Sequence, residues 1–213
     1  MARQSVKDFF DSYSEDFDSI YEGRRSLAKK LTDRFLRKSI RGRYLKTVKE
    51  CSPLEGKTIL DIGCGSGQYS TSLAAAGAKY VLGIDFSRNM IELAQEKAEK
   101  LNVRDRCRFV TADFNGYDFS NYYDYSIAIG FMEYVSEPVQ TITKIVKLTK
   151  NKALFSFPDS RGILAWQRRF RYRWKCPLFM YSRREIVDLF GRVSCKDVAI
   201  EKVNRDYFVT VTI

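Results

Sequence analysis

From residue 57 onward, the chain alternates short apolar runs with longer amphipathic stretches. The apolar runs are rich in β-branched and aromatic residues and predict strands, while apolar residues three and four positions apart predict the helices between them. Such alternation is typical of a mostly parallel sheet with helices on both faces. The predicted strands are Lys57–Ile62, Tyr80–Ile84, Arg108–Thr111, Tyr125–Ile129, Ala153–Phe157, Asp197–Val203 and Tyr207–Ile213. The predicted helices are Gly67–Ala76, Ser87–Leu101, Val139–Leu148 and Arg183–Phe190.

Local signals support two of these elements. Ser87 is a natural N-cap for the second predicted helix, whose apolar stripe is Met90, Ile91, Leu93, Ala94 and Ala98. The last two strands flank a short turn at Asn204 and Arg205, so we expect them to pair antiparallel. The predicted fold is therefore α/β, a seven-stranded, mostly parallel sheet that ends in a C-terminal antiparallel hairpin.

Two regions lie outside the alternation. Residues 1–50 predict a helical N-terminal arm, and residues 159–182 interrupt the rhythm after the fifth strand. The apolar positions of the arm near helical spacing are Leu27, Leu31, Phe35, Ile40, Tyr44 and Val48. We predict one domain over residues 1–213, made of the arm (1–50), a core (56–158), a basic aromatic insert (159–182) and a C-terminal helix and hairpin (183–213).

The net charge of +11 is unevenly distributed. Residues 22–50 hold eleven Lys or Arg and three Asp or Glu, and residues 161–184 hold eight Lys or Arg and no acid, so each block is +8. The rest of the chain is therefore −5. A chain of 213 residues that is 45% hydrophobic can bury a sizeable core, which excludes a disordered or disulfide-stapled mini-protein. The sequence predicts an acidic body with two basic attachments.

Residue types that are missing narrow the chemistry. The chain has no histidine, which excludes a Ser-His triad, an HExxH zinc site and a three-histidine metal centre. Its five cysteines are scattered without a CxxC pair, so we predict neither a metal site nor a disulfide framework. We find no signal-peptide pattern and no run near 18 apolar residues, so we expect a reduced, cytoplasmic protein.

The candidate chemistry lies at the end of the first predicted strand, where residues 61–67 read DIGCGSG. Ligands of open parallel sheets bind beyond the carboxyl ends of the strands, and glycines let the backbone approach them closely. Asp85, 24 residues after Asp61, ends the second strand, where a carboxylate can accept hydrogen bonds from both ribose hydroxyls. The spacing G-x-G-x-G differs from the G-x-G-x-x-G of dinucleotide sites, and Asp61 would repel a pyrophosphate. The pattern therefore predicts a nucleoside ligand that carries positive charge.

Four segments carry a resemblance to a known family. LDIGCGSGQYS resembles the first motif of class I S-adenosylmethionine-dependent methyltransferases of the small-molecule type, and VLGIDFSRNMIELAQEKA resembles the second. RFVTADF and YDYSIAIGFMEYV are similar to the third and fourth. The similarity runs in order from about Gly56 to Leu148, and the hairpin extends it to the chain end. It implies a Rossmann-like sheet, S-adenosyl-L-methionine as cofactor and methyl transfer as the reaction.

The resemblance also implies a role for each matching position. Around the methionine part it implies Asp61, Gly63, Cys64, Gly65 and Gly67, with Asp61 at the ammonium end. Around the adenosine it implies Asp85 at the ribose diol, Phe86 and Met90 against adenine, Asp113 at the adenine amino group and the backbone of Phe114 at the ring. Gly130 is expected where the methyl group emerges.

A general base is harder to assign. The sulfonium methyl is already electrophilic, so an amine, thiolate or phenolate acceptor needs little beyond alignment, whereas an aliphatic hydroxyl needs a base. Without histidine, the candidate bases are Glu133, Tyr134, Asp159, Tyr13 and Tyr21. Helix capping or aromatic packing would explain these residues equally well, so the catalytic assignment stays open. The fourth strand is followed by IGFME and not by the Asn/Asp-Pro-Pro-Tyr/Phe motif of enzymes that methylate base amino groups, which disfavours that activity.

The two basic regions bear on the acceptor. Residues 9–21, FFDSYSEDFDSIY, resemble the arm that methyltransferases for quinone, porphyrin or sugar-type substrates fold over the cofactor. In the insert, arginines alternate with aromatic residues; guanidinium groups bind phosphate or carboxylate, and aromatic rings stack on planar or sugar rings. A solvated basic face on a packing helix is the other interpretation. The candidate substrate-binding residues are Arg168, Arg169, Arg171 and Arg173.

Three partners fit such an insert: an anionic small molecule, an anionic membrane surface and single-stranded nucleic acid. Nucleic acid is disfavoured because no RNP, KH or zinc signature accompanies the basic blocks. We therefore predict S-adenosylmethionine-dependent methylation, at oxygen, of a small anionic acceptor of sugar, quinone or porphyrin type. The alternatives are an RNA methyltransferase and a non-catalytic S-adenosylmethionine-binding protein. Peripheral membrane contact, the oligomeric state and the identity of the acceptor stay open at this stage.

Overall fold

A computed structural model of the chain describes residues 30–162, residue 165 and residues 177–213, with side chains from residue 39 onward. The strands are β1 (Thr58–Ile62), β2 (Tyr80–Asp85), β3 (Cys107–Thr111), β4 (Tyr123–Ala128), β5 (Thr149–Pro158), β6 (Asp197–Val203) and β7 (Asp206–Thr212). The helices are α1 (Lys30–Cys51), α2 (Gln68–Ala75), α3 (Arg88–Lys100), α4 (Pro138–Lys147) and α5 (Arg183–Phe190). Short 3₁₀ turns occupy Arg104–Arg106 and Met132–Tyr134. None of these helices is long and apolar enough to cross a membrane.

The seven strands form one sheet in the order β3-β2-β1-β4-β5-β7-β6. Strands β1 to β5 run parallel to one another, and β7 runs antiparallel to both β5 and β6. The predicted Rossmann-like, mostly parallel sheet with a C-terminal antiparallel hairpin is therefore confirmed. Strand β5 begins at Thr149, four residues before the predicted start, because the polar stretch from Thr149 to Lys152 continues the backbone pairing with β4. The hydrophobic pattern of the sequence does not reveal pairing of this kind.

Helices cover both faces, as predicted. Consecutive residues of a strand face opposite sides of a sheet, and Ile59 and Leu60 of β1 accordingly belong to two separate buried clusters. The cluster on the Leu60 side includes apolar residues of α4 and α5. The cluster on the Ile59 side includes residues of α1, α2 and α3. The carboxyl ends of β1 to β5 lie along one edge of this three-layer arrangement.

Helix α1 covers residues 30–50 of the predicted helical arm, while residues 1–29 lie outside the described residues. The burial of its face differs from the prediction. Of the predicted apolar line, Ile40, Tyr44 and Val48 are only half-buried. The most buried line is Ser39, Arg43, Thr47 and Cys51, at 0%, 9%, 0% and 0% exposure. Ser39 and Arg43 have partners on β7 and β5, and Thr47 donates to the carbonyl of Arg43, so the helix packs with a polar line inward and its apolar line beside it.

Candidate functional site

The turn between β1 and α2 is built on left-handed backbone. Gly63, Gly65 and Gly67 have φ angles of +66°, +52° and +74°, a region that favours glycine. The backbone N–H groups of Gly63 and Cys64 both donate to the carbonyl of Ile84, at 2.8 and 3.1 Å, which folds the turn back onto β2. The thiol of Cys64 is buried, and burial together with nearby Asp85 raises its pKa well above the usual range, so it stays neutral. The residues predicted for the methionine part are thus contiguous at the end of β1.

Asp61 lies beneath this turn, with 2% of its surface exposed. Its carboxylate accepts a hydrogen bond of 2.6 Å from the hydroxyl of Ser70, in the first turn of α2. Burial raises the pKa of the Asp61 carboxyl to about 7, the hydrogen bonds from Ser70 oppose that rise, and the charge of Asp85 adds to it. A carboxylate here therefore braces the start of α2 and gains its charge only near neutral pH.

This pKa predicts how stability depends on pH. Because the folded state holds the Asp61 proton more tightly than the unfolded chain does, this group's contribution to stability is full below pH 4 and is lost as the pH rises towards about 7. Asp61→Asn keeps an oxygen for Ser70 and has no proton to lose. In urea unfolding without cofactor, we expect its free energy of unfolding, relative to the native chain, to increase between pH 5 and pH 8 by on the order of 2 kcal/mol.

Asp124→Asn is the matched control. Burial alone would raise the pKa of Asp124, but hydrogen bonds from the N–H and hydroxyl of Thr58 lower it overall. That carboxyl is ionised in both the folded and unfolded states above pH 5, so its removal costs a constant amount across the window. Parallel pH profiles for native and Asp61→Asn protein would show that the Asp61 pKa is close to its ordinary value.

Asp85 links the turn to β2 from the carboxyl end of that strand. One oxygen accepts from the backbone N–H of Gly65 and the other from the N–H of Ser87, each at 2.9 Å. Both oxygens of the carboxylate therefore hold the backbone of the turn, and binding of a ribose diol at this residue stays a prediction. The side chain is 9% exposed, which keeps it at the surface of the turn. Asp85 therefore combines a structural role with the predicted diol-binding role.

The loop after β3 brings the predicted adenine contacts to the same edge. Asp113 is exposed and accepts from the N–H of Asn115, and Phe114 is 3% exposed. Lys144 of α4 fastens this loop, since its ammonium group donates to the carbonyls of residues 114, 115 and 117 at 2.9, 3.0 and 2.7 Å. Phe86 is half-buried, whereas Met90 is 1% exposed and belongs to the packed interior of α3. Of the two side chains predicted against adenine, Phe86 is the more accessible.

The turn after β4 contains Gly130 and Phe131. Gly130 has φ +77°, and its N–H donates to the hydroxyl of Ser156 on β5 at 2.8 Å. The ring of Phe131 covers Gly63, where a Cβ would lie 2.5 Å from the Cδ2 atom of that ring. This turn therefore contacts the glycine turn directly. Gly130 is half-buried at the same edge of the sheet.

The candidate bases are distributed unevenly around this edge. Glu133 is 3% exposed in the turn after β4, and Tyr134 beside it is half-buried. Asp159 is 5% exposed and accepts a 2.6 Å bond from Lys202 and a 3.0 Å bond from the N–H of Arg161, so it serves as an ion-pair partner. Tyr13 and Tyr21 lie outside the described residues.

The substrate-binding arginines of the prediction, Arg168, Arg169, Arg171 and Arg173, also lie outside the described residues. The two ends of their insert are described. Tyr181 donates its N–H to the carbonyl of Pro158 at 2.9 Å and accepts from the N–H of Ser160 at 3.0 Å, which closes the base of the insert. The N–H of Phe179 donates to the carbonyl of Glu133 at 2.8 Å. The insert therefore leaves and rejoins the fold at the carboxyl ends of β4 and β5.

Sequence reasoning missed a polar cluster next to Gly130. Arg43 of α1 has its Nη1 atom 3.5 Å from the hydroxyl of Ser156 and 3.5 Å from a carboxylate oxygen of Asp206. Ser39 donates to the same Asp206 oxygen at 2.9 Å. Two signals were present in the sequence: a serine inside the apolar run ALFSF, and polar residues four apart along α1. Both indicate polar groups on buried faces, although neither names the partner.

The arrangement suits a nucleoside with a positive charge. Asp61 and Asp85 lie at the carboxyl ends of β1 and β2, and Asp113 follows the adjacent β3, so their carboxylates could supply acceptors for an amine, a diol and a ring amino group. Glycines line the side where the backbone must approach a ligand. No group of three or more histidine, cysteine or acidic residues with metal-binding geometry occurs among residues 30–162, 165 and 177–213.

Comparison with known proteins identifies a family for this chain. A family model described as a methyltransferase domain matches residues 53–187. Among curated proteins, the chain is similar to the ubiquinone biosynthesis O-methyltransferase of Coxiella burnetii, with 33% identity over 119 residues, 53% of this chain and 48% of the relative. The chain spans about half the length of the curated relatives it matches.

Solved structures share the fold. The chain is similar to the magnesium protoporphyrin IX methyltransferase of Synechocystis with bound S-adenosylhomocysteine, with a TM-score of 0.80 and 22% identity over 99% of both chains. It is also similar to the [4+2]-cyclase SpnF, with a TM-score of 0.67 and 15% identity over 97% of this chain and 94% of that one. The same fold thus accompanies different reactions, so the fold by itself does not determine the acceptor.

Proposed function

The chain belongs to the methyltransferase-domain family, and we propose that it transfers the methyl group of S-adenosylmethionine to an oxygen of a small anionic acceptor. The observation that carries this proposal is the glycine turn after β1 with Asp61 beneath it and Asp85 across it. When bound, S-adenosylmethionine supplies an electrophilic methyl group on a sulfonium. The protein's tasks are then to orient an acceptor in line with that methyl and to exclude water.

We assign a separate role in cofactor binding or methyl transfer to each residue of the site. Asp85 holds the turn, and its carboxylate is proposed to accept from the ribose diol as well. Asp61 offers negative charge below the turn to a cationic amino acid group, and Phe86 and the loop around Asp113 bound the nucleoside side. Gly130 leaves the backbone uncovered by a side chain at the position proposed for methyl transfer. These residues fit the cofactor that the family motifs imply.

Oxygen is proposed as the methylated atom for two reasons. Curated relatives that cover about half of this chain are ubiquinone biosynthesis O-methyltransferases, and the structure similar over 99% of the chain is a magnesium protoporphyrin IX methyltransferase. A phenolate or carboxylate oxygen is nucleophilic without strong base catalysis, which suits a chain that has no histidine. The proposed acceptor classes are therefore a quinone-type phenol and a porphyrin-type carboxylate.

The insert is proposed to close over the acceptor. Its ends are clamped at the carboxyl ends of β4 and β5, beside Gly130, and its arginines would provide forks for an anionic group. The basic charge also favours RNA as a second candidate acceptor, since residues 22–50 and 161–184 each carry +8. A small molecule is preferred because no RNA-binding module accompanies these blocks.

The test is a methyl-transfer assay with labelled S-adenosylmethionine against three probes: a catechol, magnesium protoporphyrin IX and total RNA. We expect label in a small-molecule product and none in RNA. Replacing Arg168, Arg169, Arg171 and Arg173 together by alanine should lower turnover of that acceptor by at least tenfold and leave the affinity for S-adenosylhomocysteine, measured by calorimetry, unchanged.

Matched arginines provide the control. Arg183 and Arg184 belong to the same basic block but are exposed at the start of α5, so their replacement by alanine removes charge without touching the insert. Label in RNA alone would favour the RNA alternative. Cofactor binding without transfer to any probe would favour a non-catalytic binder. Unchanged turnover in the four-arginine variant would contradict the role proposed for the insert.

A further inference from the structure

Helix α1 buries a guanidinium among polar groups at the edge of the sheet. The side chain of Arg43 is 11% exposed and that of Asp206, its ion-pair partner, is 2% exposed. Replacing a buried ion pair by apolar residues of similar volume is often neutral or stabilising, because desolvation offsets most of the attraction. The packing of α1 on β5 and β7 therefore does not by itself explain why an arginine occupies this position.

The position of the Arg43 guanidinium next to Gly130 suggests why an arginine lies here. The Nη1 atom of Arg43 lies 4.0 Å from the position a Cβ would take on Gly130. It shares the hydroxyl of Ser156 with the N–H of Gly130, at 3.5 and 2.8 Å. Gly130 is the position proposed for methyl transfer, so a fixed positive charge lies 4.0 Å from the place that a side chain at this position would occupy.

We propose that Arg43 is an acceptor-binding residue, whose guanidinium binds the anionic oxygen of the acceptor, a phenolate or a carboxylate, beside Gly130. This inference rests on the proposed function for the location of methyl transfer. It adds a residue from α1, which the family-model match, beginning at residue 53, does not reach. Asp206 and Ser156 contact the guanidinium, Ser39 donates to Asp206, and the acceptor is proposed to reach the 11% of the Arg43 side chain that is exposed.

The chemistry follows from charge. A guanidinium stays protonated at any pH at which the protein is folded, so it stabilises an oxyanion and cannot act as a base. A phenolic acceptor would lose its proton to solvent more readily beside Arg43, because a nearby cation favours the ionised form. A carboxylate acceptor arrives already ionised. In either case the electron pair of the oxygen forms the new O–C bond, the S–C electron pair stays on sulfur, and the sulfonium becomes a neutral thioether.

The carboxylates described at this end of the sheet are paired or buried. Asp206 faces Arg43 from β7, and Asp159 at the end of β5 is held by Lys202. Glu133, in the turn after β4, is 3% exposed. A carboxylate of an acceptor would meet Arg43 first on the side of Gly130, where Nη1 approaches the backbone of that turn.

Two probes distinguish the two sources of oxyanion. Benzoate represents a carboxylate, and 4-nitrophenol represents a phenol whose ionisation is read from its visible absorbance. Ligand-observed NMR on the full chain saturated with S-adenosylhomocysteine should show benzoate binding to native protein and at least tenfold weaker binding to Arg43→Gln. Bound 4-nitrophenol should ionise at lower pH on native protein than on Arg43→Gln. Benzamide, the neutral counterpart of benzoate, should not distinguish the two proteins.

Three further variants control for loss of charge, for misfolding and for the shape of the charged group. Arg41→Gln removes the same charge from an exposed position two residues away on α1, and should leave benzoate binding unchanged. If Arg43→Gln alone does not fold because Asp206 is left buried without its arginine, the double variant with Asp206→Asn removes both charges. Arg43→Lys keeps a charge without the planar fork and should bind benzoate with intermediate affinity.

The outcomes separate this proposal from the proposed function. All titrations are repeated without S-adenosylhomocysteine. If the protein does not bind S-adenosylhomocysteine, the proposed function is contradicted, and the titrations without it still show whether the anions bind. A loss of both ionised probes on removal of Arg43 supports the site, and loss of only one identifies the oxyanion as phenolate or carboxylate. The proposal is overturned if neither anion binds native protein, or if both bind Arg43→Gln as tightly as native protein.

Discussion

Replacing Asp85 with alanine should abolish measurable binding of S-adenosylmethionine in calorimetry. The substitution removes two carboxylate hydrogen bonds proposed for the ribose diol, and bonds to charged groups contribute about 1.5–3 kcal/mol each. Their combined loss corresponds to a decrease in affinity on the order of 10³-fold. It also frees the N–H groups of Gly65 and Ser87, which the carboxylate now holds at 2.9 Å, so the turn itself loses its brace.

The two consequences can be separated. Asp85→Asn retains an oxygen for only one of the two backbone N–H groups and places a donor towards the other, so it should keep the fold with part of the brace lost and still bind cofactor poorly. Asp118→Ala removes an exposed carboxylate from the loop after β3 and serves as the control for charge. If Asp85→Ala binds S-adenosylmethionine with native affinity, Asp85 does not bind the ribose. If only Asp85→Asn binds it with native affinity, Asp85 holds the turn and does not bind the diol.

Features that depend on local sequence were predictable. Ser87 caps α3, its hydroxyl accepting from the N–H of Met90, as the sequence indicates. Helix α5 spans the predicted Arg183–Phe190, because Ser182 and Glu185 form a capping box at its start and Gly191 follows its end. The mostly parallel direction of the strands, the C-terminal hairpin and the glycine turn likewise follow from short-range periodicity and from the family motifs.

Features that depend on distant partners were not predictable. Lys144 is one of many lysines in helical stretches, and only the folded chain brings its ammonium group to three carbonyls in the loop after β3. Arg43 and Gly130 are far apart in the sequence, and helical periodicity assigns Arg43 to a face without naming what that face meets. Apolar patterning even selects the wrong line of α1 as the most buried one, because its polar line has partners on β5 and β7.

The glycine turn also limits the stability of the fold, and Gly67→Ala should test that limit. Gly67 has φ +74°, and an added Cβ would lie 2.8 Å from the Cβ and 3.1 Å from the Cα of Ala94 on α3. Left-handed backbone costs a non-glycine residue about 1–2 kcal/mol, and overpacking against a neighbouring helix adds about 1–3 kcal/mol. For a chain of this size, thermal unfolding should shift down by roughly 10 °C.

Gly56→Ala is the matched control, because Gly56 has nearly the same φ, +72°, and a Cβ there would meet no atom within 4 Å. Gly56→Ala should lose only the stability that left-handed backbone costs a non-glycine residue. The difference in stability between the two variants therefore measures the contact of the turn with α3. Since α3 begins directly after Asp85 and Ser87, displacing it would also disturb the diol-binding carboxylate, and we expect Gly67→Ala to weaken cofactor binding while Gly56→Ala does not. Equal destabilisation in the two variants would mean that α3 yields without cost, and the close packing of the glycine turn against α3 would then have no role in holding the site.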